Sequence, residues 1–423
     1  MKLIVKKSEN LAGEVKIPAS KSHTIRAVVI ASLAKGTSRI AGPLNSEDTI
    51  VAVNASSALG AKIDIGDDEW IVSGFSGRPR QPKGTINFEN SGTSSRLIMS
   101  VIALGGLDVK IDGDASLRKR PMTPLIDALS NLGVTLKSLN DDGCLPIRIS
   151  GRLIGGRTEV DCRSSQYLSS LLISCPMAEK DTEITVKNLC EKPYVEMTLQ
   201  WLDEQKIEYE NDNFEVFRIR GSQKYLPFEK DIPGDWSSAT FPLCAGAITQ
   251  SDMVLTGVDT NDAQGDKAVV WMLKKMGADI AIEGDKVRIR GRELSGCVFD
   301  MGDTPDALPA MAVVGCFASG ETWLLNVSQA RIKETDRIKI MTEELSRMGA
   351  DIEEMEDGLI VRESKLSGAK VCGHNDHRVV MALSLAGMIA EGETEIDTAE
   401  SIDVTYPGYV EAMKNVKANM GLM

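Results

Sequence analysis

Serine, lysine and arginine side chains cluster where several apolar segments of the chain begin. Lys21 and Ser22 open the segment SKSHTIRAVVIASL, and Arg26 follows about one helical turn later. A helix start presents free backbone N–H groups that bind anions. A single serine there is more simply explained as a helix cap. The cations beside these serines, and the run RKR at 118–120, favour a local site for an anion.

A second group of charged residues lies in the segment RIKETDR. The plain interpretation is a solvated helix start with spaced ion pairs. Alternatively, Lys333 and Arg337 hold anionic groups while Glu334 between them acts as an acid or base. Asp306, in TPDALPA, is either a carboxylate stabilised by a helix dipole or a second acid–base group. Arg378, in NDHR, suits a carboxylate or phosphate as a two-pronged donor.

The composition limits the classes of partner. The chain has 48 Lys and Arg against 61 Asp and Glu, a net charge of −13, so we expect neither a nucleic-acid nor an anionic-membrane partner. The eight cysteines include no C-x-x-C pair, which favours reduced thiols and a cytoplasmic protein. The longest apolar run, 379–390, is shorter than the roughly 18 residues that a membrane span needs.

Several nucleotide and hydrolase motifs do not occur. The sequence contains no G-x-x-x-x-G-K-[ST], G-x-G-x-x-G, G-x-S-x-G or H-E-x-x-H. P-loop hydrolysis, Rossmann dinucleotide binding, serine-hydrolase and zinc-protease chemistry therefore lose support. The sequence indicates no cofactor and no metal.

One pattern recurs six times along the chain at a nearly constant spacing, which indicates a modular fold. Each unit opens with small, serine-rich or charged residues before an apolar helix, and the equivalent positions are Ser20, Ser91, Ser164, Ser237, Pro305 and Asp376. A second helix follows in each unit. Four of these end in a glycine suited to a left-handed cap, with a lysine at the corresponding place in a fifth: Gly60, Gly133, Gly277, Gly349 and Lys206.

The hydrophobic patterns predict where the layers of this α/β fold lie. Segments such as KVRIR and PIRIS alternate apolar and charged residues, which is typical of a sheet with one solvated face. The first helix of each unit is apolar around most of its circumference, which is typical of a buried helix. We therefore expect inside-out lobes of three repeats each, residues 19–231 and residues 1–18 with 232–423, with the active site in a cleft between them.

The motifs SKSHTIRA, FENSGTSSR, LRKRPM, SSQYLSSLL, EKPY, RIKETDR and NDHR follow one another in the order and spacing of a known family. Over its whole length the chain resembles the enolpyruvyl transferases known as EPSP synthases. The resemblance implies a two-domain inside-out α/β fold of six βαβαββ-like repeats. It also implies transfer of the enolpyruvyl group of phosphoenolpyruvate to the 5-hydroxyl of shikimate 3-phosphate, with release of phosphate. We expect a monomer that uses no cofactor.

The resemblance assigns roles to residues that match the family motifs. Those expected to bind shikimate 3-phosphate are Lys21, Ser22, Arg26, Ser164, Ser165, Gln166, Asp306, Gln329 and Lys333. Those expected to bind phosphoenolpyruvate are Lys21, Gly92, Arg120, Gln166, Glu334, Arg337 and Arg378. The expected catalytic residues are Lys21, Asp306 and Glu334. Either Asp306 or Glu334 would accept the proton of the 5-hydroxyl, and Glu334 and Lys21 lead as proton-transfer groups.

Three positions depart from the family pattern. Glu191 stands where the family has the serine of S-[RK]-P-Y, so a carboxylate would repel the phosphate unless it turns away or pairs with a cation. Val404 replaces a lysine found in many members, and Gln329 replaces the common asparagine. The affinity for phosphoenolpyruvate, or for inhibitors that imitate it, therefore does not follow from the resemblance.

Two other functions compete with this interpretation. A sister family uses UDP-N-acetylglucosamine as acceptor and has a cysteine five residues before its R-P dipeptide, where this chain has Ala115. A non-catalytic anion-binding or scaffolding repeat protein would have dispersed charged helix starts, whereas here they recur in register.

Overall fold

The computed structural model describes residues 1–423, which divide into two compact units. The N-terminal unit is Ala19–Ile232, and the C-terminal unit combines Met1–Pro18 with Pro233–Met423. The expected lobes differ from these units only at Ile232. Its backbone N–H donates to the carbonyl of Ala41 at 3.0 Å, within the N-terminal unit.

The chain forms twelve α-helices of 7 to 13 residues. They are α1 Lys21–Leu33, α2 Glu47–Ala58, α3 Gly92–Ala103, α4 Thr123–Asn131, α5 Ser165–Ser174, α6 Lys192–Glu204, α7 Trp236–Ile248, α8 Ala268–Met276, α9 Leu308–Phe317, α10 Arg337–Arg347, α11 His377–Ile389 and α12 Tyr409–Asn415. None of these helices has both the length and the apolar character that crossing a bilayer requires.

Twenty-four short strands accompany these helices. They are β1 Leu3–Lys6, β2 Ala12–Lys16, β3 Thr37–Ala41, β4 Lys62–Ile65, β5 Glu69–Ser73, β6 Ile86–Asn87, β7 Val109–Asp112, β8 Val134–Ser138, β9 Ile147–Gly151, β10 Gly156–Asp161, β11 Thr182–Lys187, β12 Tyr209–Asp212, β13 Val216–Ile219, β14 Glu229–Asp231, β15 Asp252–Thr256, β16 Asp279–Glu283, β17 Lys286–Arg290, β18 Val298–Asp300, β19 Glu321–Leu325, β20 Asp351–Met355, β21 Gly358–Arg362, β22 Lys370–Val371, β23 Glu393–Ile396 and β24 Met420–Leu422.

The six predicted repeats are six four-stranded sheets, three in each unit. In the second repeat the chain runs β6-α3-β7-α4-β8-β9, and the sheet order is β6-β7-β9-β8. The first two strands pair in parallel around the first helix, and the hairpin β8-β9 completes the sheet with antiparallel pairs. A parallel pair needs such a crossover connection, which is why each repeat begins with an apolar helix. The predicted βαβαββ organisation is confirmed.

Three strands come from outside their repeat's own stretch of chain. β14, at the end of the N-terminal unit, pairs in parallel with β3 of the first repeat. β2 pairs in parallel with β15 of the fourth repeat, and β1 lies between β23 and β24 of the sixth. The segment Met1–Pro18 therefore contributes to two sheets of the C-terminal unit.

The predicted layers are also present. Every residue of α7 is buried, and all but the last residue of α11 are buried. In β17 the apolar Val287 and Ile289 are buried while Lys286 and Arg288 are exposed, so one face of the sheet meets solvent. In the C-terminal unit the buried helices α7, α9 and α11 pack against one another.

The second helix of each of five repeats ends in a left-handed residue, as the sequence predicts. The φ values are 109° at Gly60, 97° at Gly133, 116° at Gly277 and 94° at Gly349, and Lys206 takes the same place with φ 57°. A residue with a Cβ is strained in this conformation, whereas glycine is not. The third repeat thus accepts a strain that four others avoid.

Replacing Lys206 by glycine should raise the thermal midpoint of the N-terminal unit, because it removes about 1 kcal/mol of backbone strain. The reverse change, Gly133→Ala, should lower it by at least as much, since the new Cβ would also lie 2.9 Å from the Ile154 side chain. Thermal unfolding followed by circular dichroism measures both. Shifts of the same sign in the two variants would contradict this account of the caps.

Candidate active site

In the N-terminal unit, ion pairs and hydrogen bonds join the starts of the first helices. The Lys21 Nζ lies 3.2 Å from an Asp48 carboxylate oxygen, where α1 and α2 begin. The hydroxyl of Ser94, in the first turn of α3, donates to the Asp48 carbonyl at 3.2 Å. Ser20 caps α1 by accepting from the backbone N–H of His23. Residues far apart in sequence therefore lie at one end of the helix layer.

Arg26 is a buried cation surrounded by neutral oxygens. Its side chain donates to the Thr198 hydroxyl at 2.9 Å, the Ser22 carbonyl at 3.1 Å, the Tyr194 carbonyl at 3.0 Å and the Ser169 hydroxyl at 3.3 Å. Burial lowers the pKa of Arg26 to about 10, so the group remains charged at neutral pH. A buried charge with only neutral partners generates a strong positive potential.

A second buried arginine, Arg96, lies at the start of α3. It donates to the Gln166 side-chain oxygen at 2.6 Å, and the Gln166 amide in turn donates to the Thr93 hydroxyl at 3.0 Å. The space above Gly92 is narrow: a Cβ there would come within 2.9 Å of Arg120 Nη1 and 3.2 Å of Arg96 Nη1. Gly92 therefore lets two guanidinium groups approach the helix start closely.

The RKR run at 118–120 contributes one buried cation instead of three. Arg120 is buried and donates to the side-chain oxygen of Asn90. Arg118 is exposed and forms a two-pronged pair with Asp112 at 2.8 Å, and Lys119 is exposed as well. The density of cations in sequence thus overstated the local charge, because two of the three side chains point to solvent.

The start of α5 carries Ser164, Ser165 and Gln166. Ser164 occupies the cap position but makes no capping hydrogen bond through its side chain. Instead a carboxylate oxygen of Glu191 accepts from the Ser165 backbone N–H at 3.2 Å and from the Ser165 hydroxyl at 2.8 Å. The carboxylate of Glu191 therefore points toward the start of α5 and occupies it.

In the C-terminal unit, one arginine organises the cluster. Arg337 has a side-chain exposure of only 1% and lies 2.8 Å from Asp306, 2.6 Å from Glu334 and 2.8 Å from Asp376. The second Asp306 oxygen lies 3.0 Å from an Arg378 nitrogen. Asp376 also caps α11 by accepting from the Arg378 backbone N–H. Two arginines and three carboxylates thus meet where α9, α10 and α11 begin.

The cations of this cluster reverse the effect of burial on the carboxylates. Burial alone would raise the pKa of Asp306, but Arg378, Lys333 and Arg337 hold it far below its ordinary value. Burial likewise opposes ionisation of Asp376, and Arg337 lowers its pKa below the usual range. Burial would lower the pKa of Arg337, but the surrounding carboxylates raise it well above normal. All three groups are therefore ionised at neutral pH.

The two interpretations of RIKETDR each describe part of it. Arg331 pairs with Asp336 and Glu354 at 2.8 Å, which is the ordinary ion pairing of a helix start. Arg337 and Glu334 belong to the buried cluster instead. The segment therefore contributes both to the solvated surface and to the candidate site.

Two further residues expected at the site lie beside this cluster. The charge of Lys333 acts on Asp306 and helps to lower its pKa. The Gln329 amide donates to the Gly302 carbonyl at 2.7 Å, so the longer side chain that replaces the family's asparagine is held by the backbone.

Asp266 is a buried acid that the sequence did not single out. Its carboxylate accepts from the Ser237 hydroxyl in the first turn of α7. Burial and the repulsion of Asp306 raise the pKa of Asp266 to about 6, although Arg378 and Ser237 act in the opposite direction. The helix start of the fourth repeat is thus electrostatically linked to Asp306.

Known proteins resemble the whole of this chain. The family model for EPSP synthase (3-phosphoshikimate 1-carboxyvinyltransferase) matches residues 5–413. The chain belongs to the EPSP synthase family. Its activity is the transfer of an enolpyruvyl group in the shikimate pathway.

The relatives and solved structures agree on this family. A 3-phosphoshikimate 1-carboxyvinyltransferase of Acetivibrio thermocellus is 52% identical over 420 residues, 99% of each chain. One of Ruminiclostridium cellulolyticum is 48% identical over 423 residues, the full length of both. The solved EPSP synthase of Acinetobacter baumannii has a TM-score of 0.83 at 26% identity and covers 100% of this chain and 99% of its own. The predicted fold class and family are confirmed.

Within each unit, the structure brings together most residues that the EPSP synthase pattern singles out. The N-terminal unit links Lys21, Ser22 and Arg26 through α1, and links Gly92, Arg120 and Gln166 near the start of α3. The sequence did not predict the contacts of Arg96 and Asp376. Arg96 could have been found, because it lies in the second turn of an apolar helix, as Arg26 does. Asp376 belongs to the NDHR motif, in which the sequence favours Arg378 as the binding residue.

The free energy of unfolding should report the pKa of Asp266. Since its folded-state pKa is raised, the folded protein binds the extra proton between about pH 4 and 6, and stability decreases as pH rises through that range. The rise from 3.8 to about 6 corresponds to about 3 kcal/mol. Asp266→Asn should remove this pH-dependent loss.

Urea denaturation of wild type and Asp266→Asn from pH 4 to 7.5 measures the effect. The difference in stability between the two proteins should shift in favour of the variant as pH increases. A difference that stays constant across this range would show that Asp266 ionises normally.

Proposed function

We propose that this chain transfers the enolpyruvyl group of phosphoenolpyruvate to the 5-hydroxyl of shikimate 3-phosphate and releases phosphate. The observation that carries the proposal is the unequal charge balance of the two clusters. Arg26 and Arg96 are buried among neutral oxygens, whereas Arg337 pairs with three carboxylates and Arg378 pairs with Asp306. The first arrangement suits an anion that must be held, and the second suits proton transfer beside an anion.

The acceptor would bind mainly to the N-terminal cluster. Ser164 and Ser165 would hold the 3-phosphate at the start of α5, where the helix dipole and the charge of Arg26 favour a dianion and where Glu191 now accepts from Ser165. Ser22 would add a hydroxyl, and Gln166 would lie against the ring. Three residues of the C-terminal unit would contact the shikimate moiety: Asp306, Gln329 and Lys333.

Phosphoenolpyruvate brings a carboxylate and a phosphate, both natural partners for arginine. The residues that would bind these groups are Arg120, Arg337 and Arg378, with Gly92 providing close backbone approach and Gln166 a further contact. Lys21 would touch both substrates. Val404 stands where many members have a lysine, so the remaining arginines would bear more of the charge.

Substrate binding would change the basicity of Asp306. Arg337 and Arg378 each hold one oxygen of Asp306, which makes this carboxylate a weak base. An anionic substrate that engages these arginines competes with Asp306 for them, so its pKa rises when phosphoenolpyruvate is bound. The group would thus become a useful base only when both substrates are in place.

The reaction would proceed by addition and elimination. Asp306 or Glu334 accepts the 5-hydroxyl proton as the oxygen attacks C2 of phosphoenolpyruvate, and C3 is protonated to a methyl group. A methyl proton is then removed as the C–O bond to phosphate breaks, giving the enol ether and inorganic phosphate. Lys21 and Glu334 are the proposed proton carriers at C3, and the arginines stabilise the charge on the leaving group.

We place this activity in the cytoplasm and expect a monomer. All eight cysteines are unpaired, as is usual in a reducing compartment. A single chain carries both clusters, so the proposed reaction needs no second copy. The partners are the two small-molecule substrates alone.

Release of phosphate from phosphoenolpyruvate tests the proposed acceptor. We expect release with shikimate 3-phosphate and none with UDP-N-acetylglucosamine. Release with the nucleotide sugar alone would assign the chain to the sister reaction. Release with neither acceptor would remove the enolpyruvyl-transfer proposal and favour a binding or scaffolding role.

Glu334→Gln should reduce kcat by about 10²–10⁴-fold with little change in KM, because it removes a proton-transfer group but keeps a hydrogen-bond acceptor beside Arg337. Steady-state phosphate release measures both constants. Glu343→Gln is the matched control, since Glu343 is exposed on α10 and pairs only weakly with Lys339 at 3.8 Å. An unchanged kcat in Glu334→Gln would exclude Glu334 from the proton transfers.

A further inference from the structure

Glu191 stands directly before α6, at the position where the family pattern has a serine. Its side chain reaches the start of a different helix, α5. The residue is 2% exposed, and one carboxylate oxygen accepts two hydrogen bonds from Ser165, through the backbone N–H and the hydroxyl. The dipole of α5 and these two donors are the usual features of a site for a bound anion. Here a side chain of the protein itself takes this place.

The backbone holds Glu191 in this position at some cost. Its φ of 58° lies in the left-handed region that residues with a Cβ rarely adopt. The strained residue is fixed by the first turn of α6, where the Tyr194 N–H donates to the Glu191 carbonyl at 3.0 Å. The Tyr194 carbonyl accepts from Arg26 at 3.0 Å, so the same turn also fixes the buried cation.

The surroundings can bind an anion without Glu191. Arg26 is buried with hydrogen bonds to neutral oxygens only, and its charge persists at neutral pH. Ser164 makes no capping bond through its side chain, so its hydroxyl is not committed to the helix start. The helix start, two serine hydroxyls and a buried cation together suit a phosphate better than they suit a carboxylate.

We propose that Glu191 is an internal competitor for the phosphate of the acceptor, and that it lowers the affinity of the chain for shikimate 3-phosphate. This inference rests on the proposed binding of the 3-phosphate by Ser164 and Ser165. The Ser165 N–H and hydroxyl each have one proton to donate, so the carboxylate and the phosphate cannot both accept them fully. The two anions would also repel each other at this distance. Glu191 must therefore leave Ser165 when the phosphate binds.

The competition is selective for the phosphorylated acceptor. Phosphoenolpyruvate is assigned to other residues, so its binding should not depend on Glu191. Inorganic phosphate, which has no ring to make additional contacts, should be rejected from the start of α5 more completely than the substrate. The residue thus acts on specificity and takes no part in the chemical steps.

Titration of wild type, Glu191→Ala and Glu191→Gln with shikimate 3-phosphate tests the proposal. Alanine removes the competing carboxylate and introduces no new donor, so Kd should fall about tenfold or more. Glutamine keeps an acceptor for Ser165 but removes the charge, so Kd should fall several-fold. KM for phosphoenolpyruvate should stay unchanged in both. Glu204→Gln, at the exposed end of α6, is the matched control.

A second set of variants tests whether the competition is for Ser165. In a Ser165→Ala background the gain from Glu191→Ala should shrink, because the hydroxyl for which both anions compete is gone. An undiminished gain would overturn direct competition. Should Glu191→Ala fold poorly, as its thermal midpoint would report, Glu191→Gln decides the proposal on its own.

An unchanged or higher Kd for shikimate 3-phosphate in Glu191→Gln would overturn the inference. This failure is distinct from failure of the proposed function. If wild type and both variants release phosphate with equal KM for shikimate 3-phosphate, the function stands and Glu191 is merely a helix cap. If wild type releases none, the function itself fails.

Discussion

A guanidinium group that is removed from water must have its N–H groups bonded and its charge compensated, and this requirement shapes both polar clusters. Arg337 meets it with three carboxylates supplied by three different segments of the chain. The N–H groups of Arg26 are bonded to hydroxyl and carbonyl oxygens, but no carboxylate compensates its charge, so Arg26 retains its positive potential. The buried charge of Arg337 is thus compensated by carboxylates, whereas the charge of Arg26 has only neutral hydrogen-bond partners.

The fold supplies the conditions for this burial. Each repeat places an apolar helix under a sheet, and in α7 and α11 most of the hydrophilic side chains lie in the first turns. Asp235 and Asp376 cap α7 and α11 through their side chains, and Ser20 and Ser91 cap α1 and α3. Capping and anion binding both depend on the free N–H groups of a helix start, so the same positions suit both.

Much of this organisation could be predicted from the sequence because it is periodic. The repeat spacing identified all six helix starts, and the glycines after the second helices predicted left-handed caps. The same spacing pointed to Lys206, which takes the left-handed conformation although it is not a glycine. The pairing of charged side chains does not follow the repeat, so the sequence did not predict it. Whether Arg118 or Arg120 is buried depends on which side of a short turn each faces. The elevated pKa of Asp266 arises from burial and from Asp306, which belongs to the next repeat.

The strand β1 lies beside β24, and the Lys2 N–H donates to the Met423 carbonyl at 3.0 Å. The partners of β1, which are β23 and β24, therefore emerge long after it during synthesis, and β15, the partner of β2, emerges earlier, while the residues Ala19–Ile232 form one continuous segment. The adjacency also means that a short linker could join Met423 to Met1. A circularly permuted chain opened at Ala19 would then encode each unit as one uninterrupted segment.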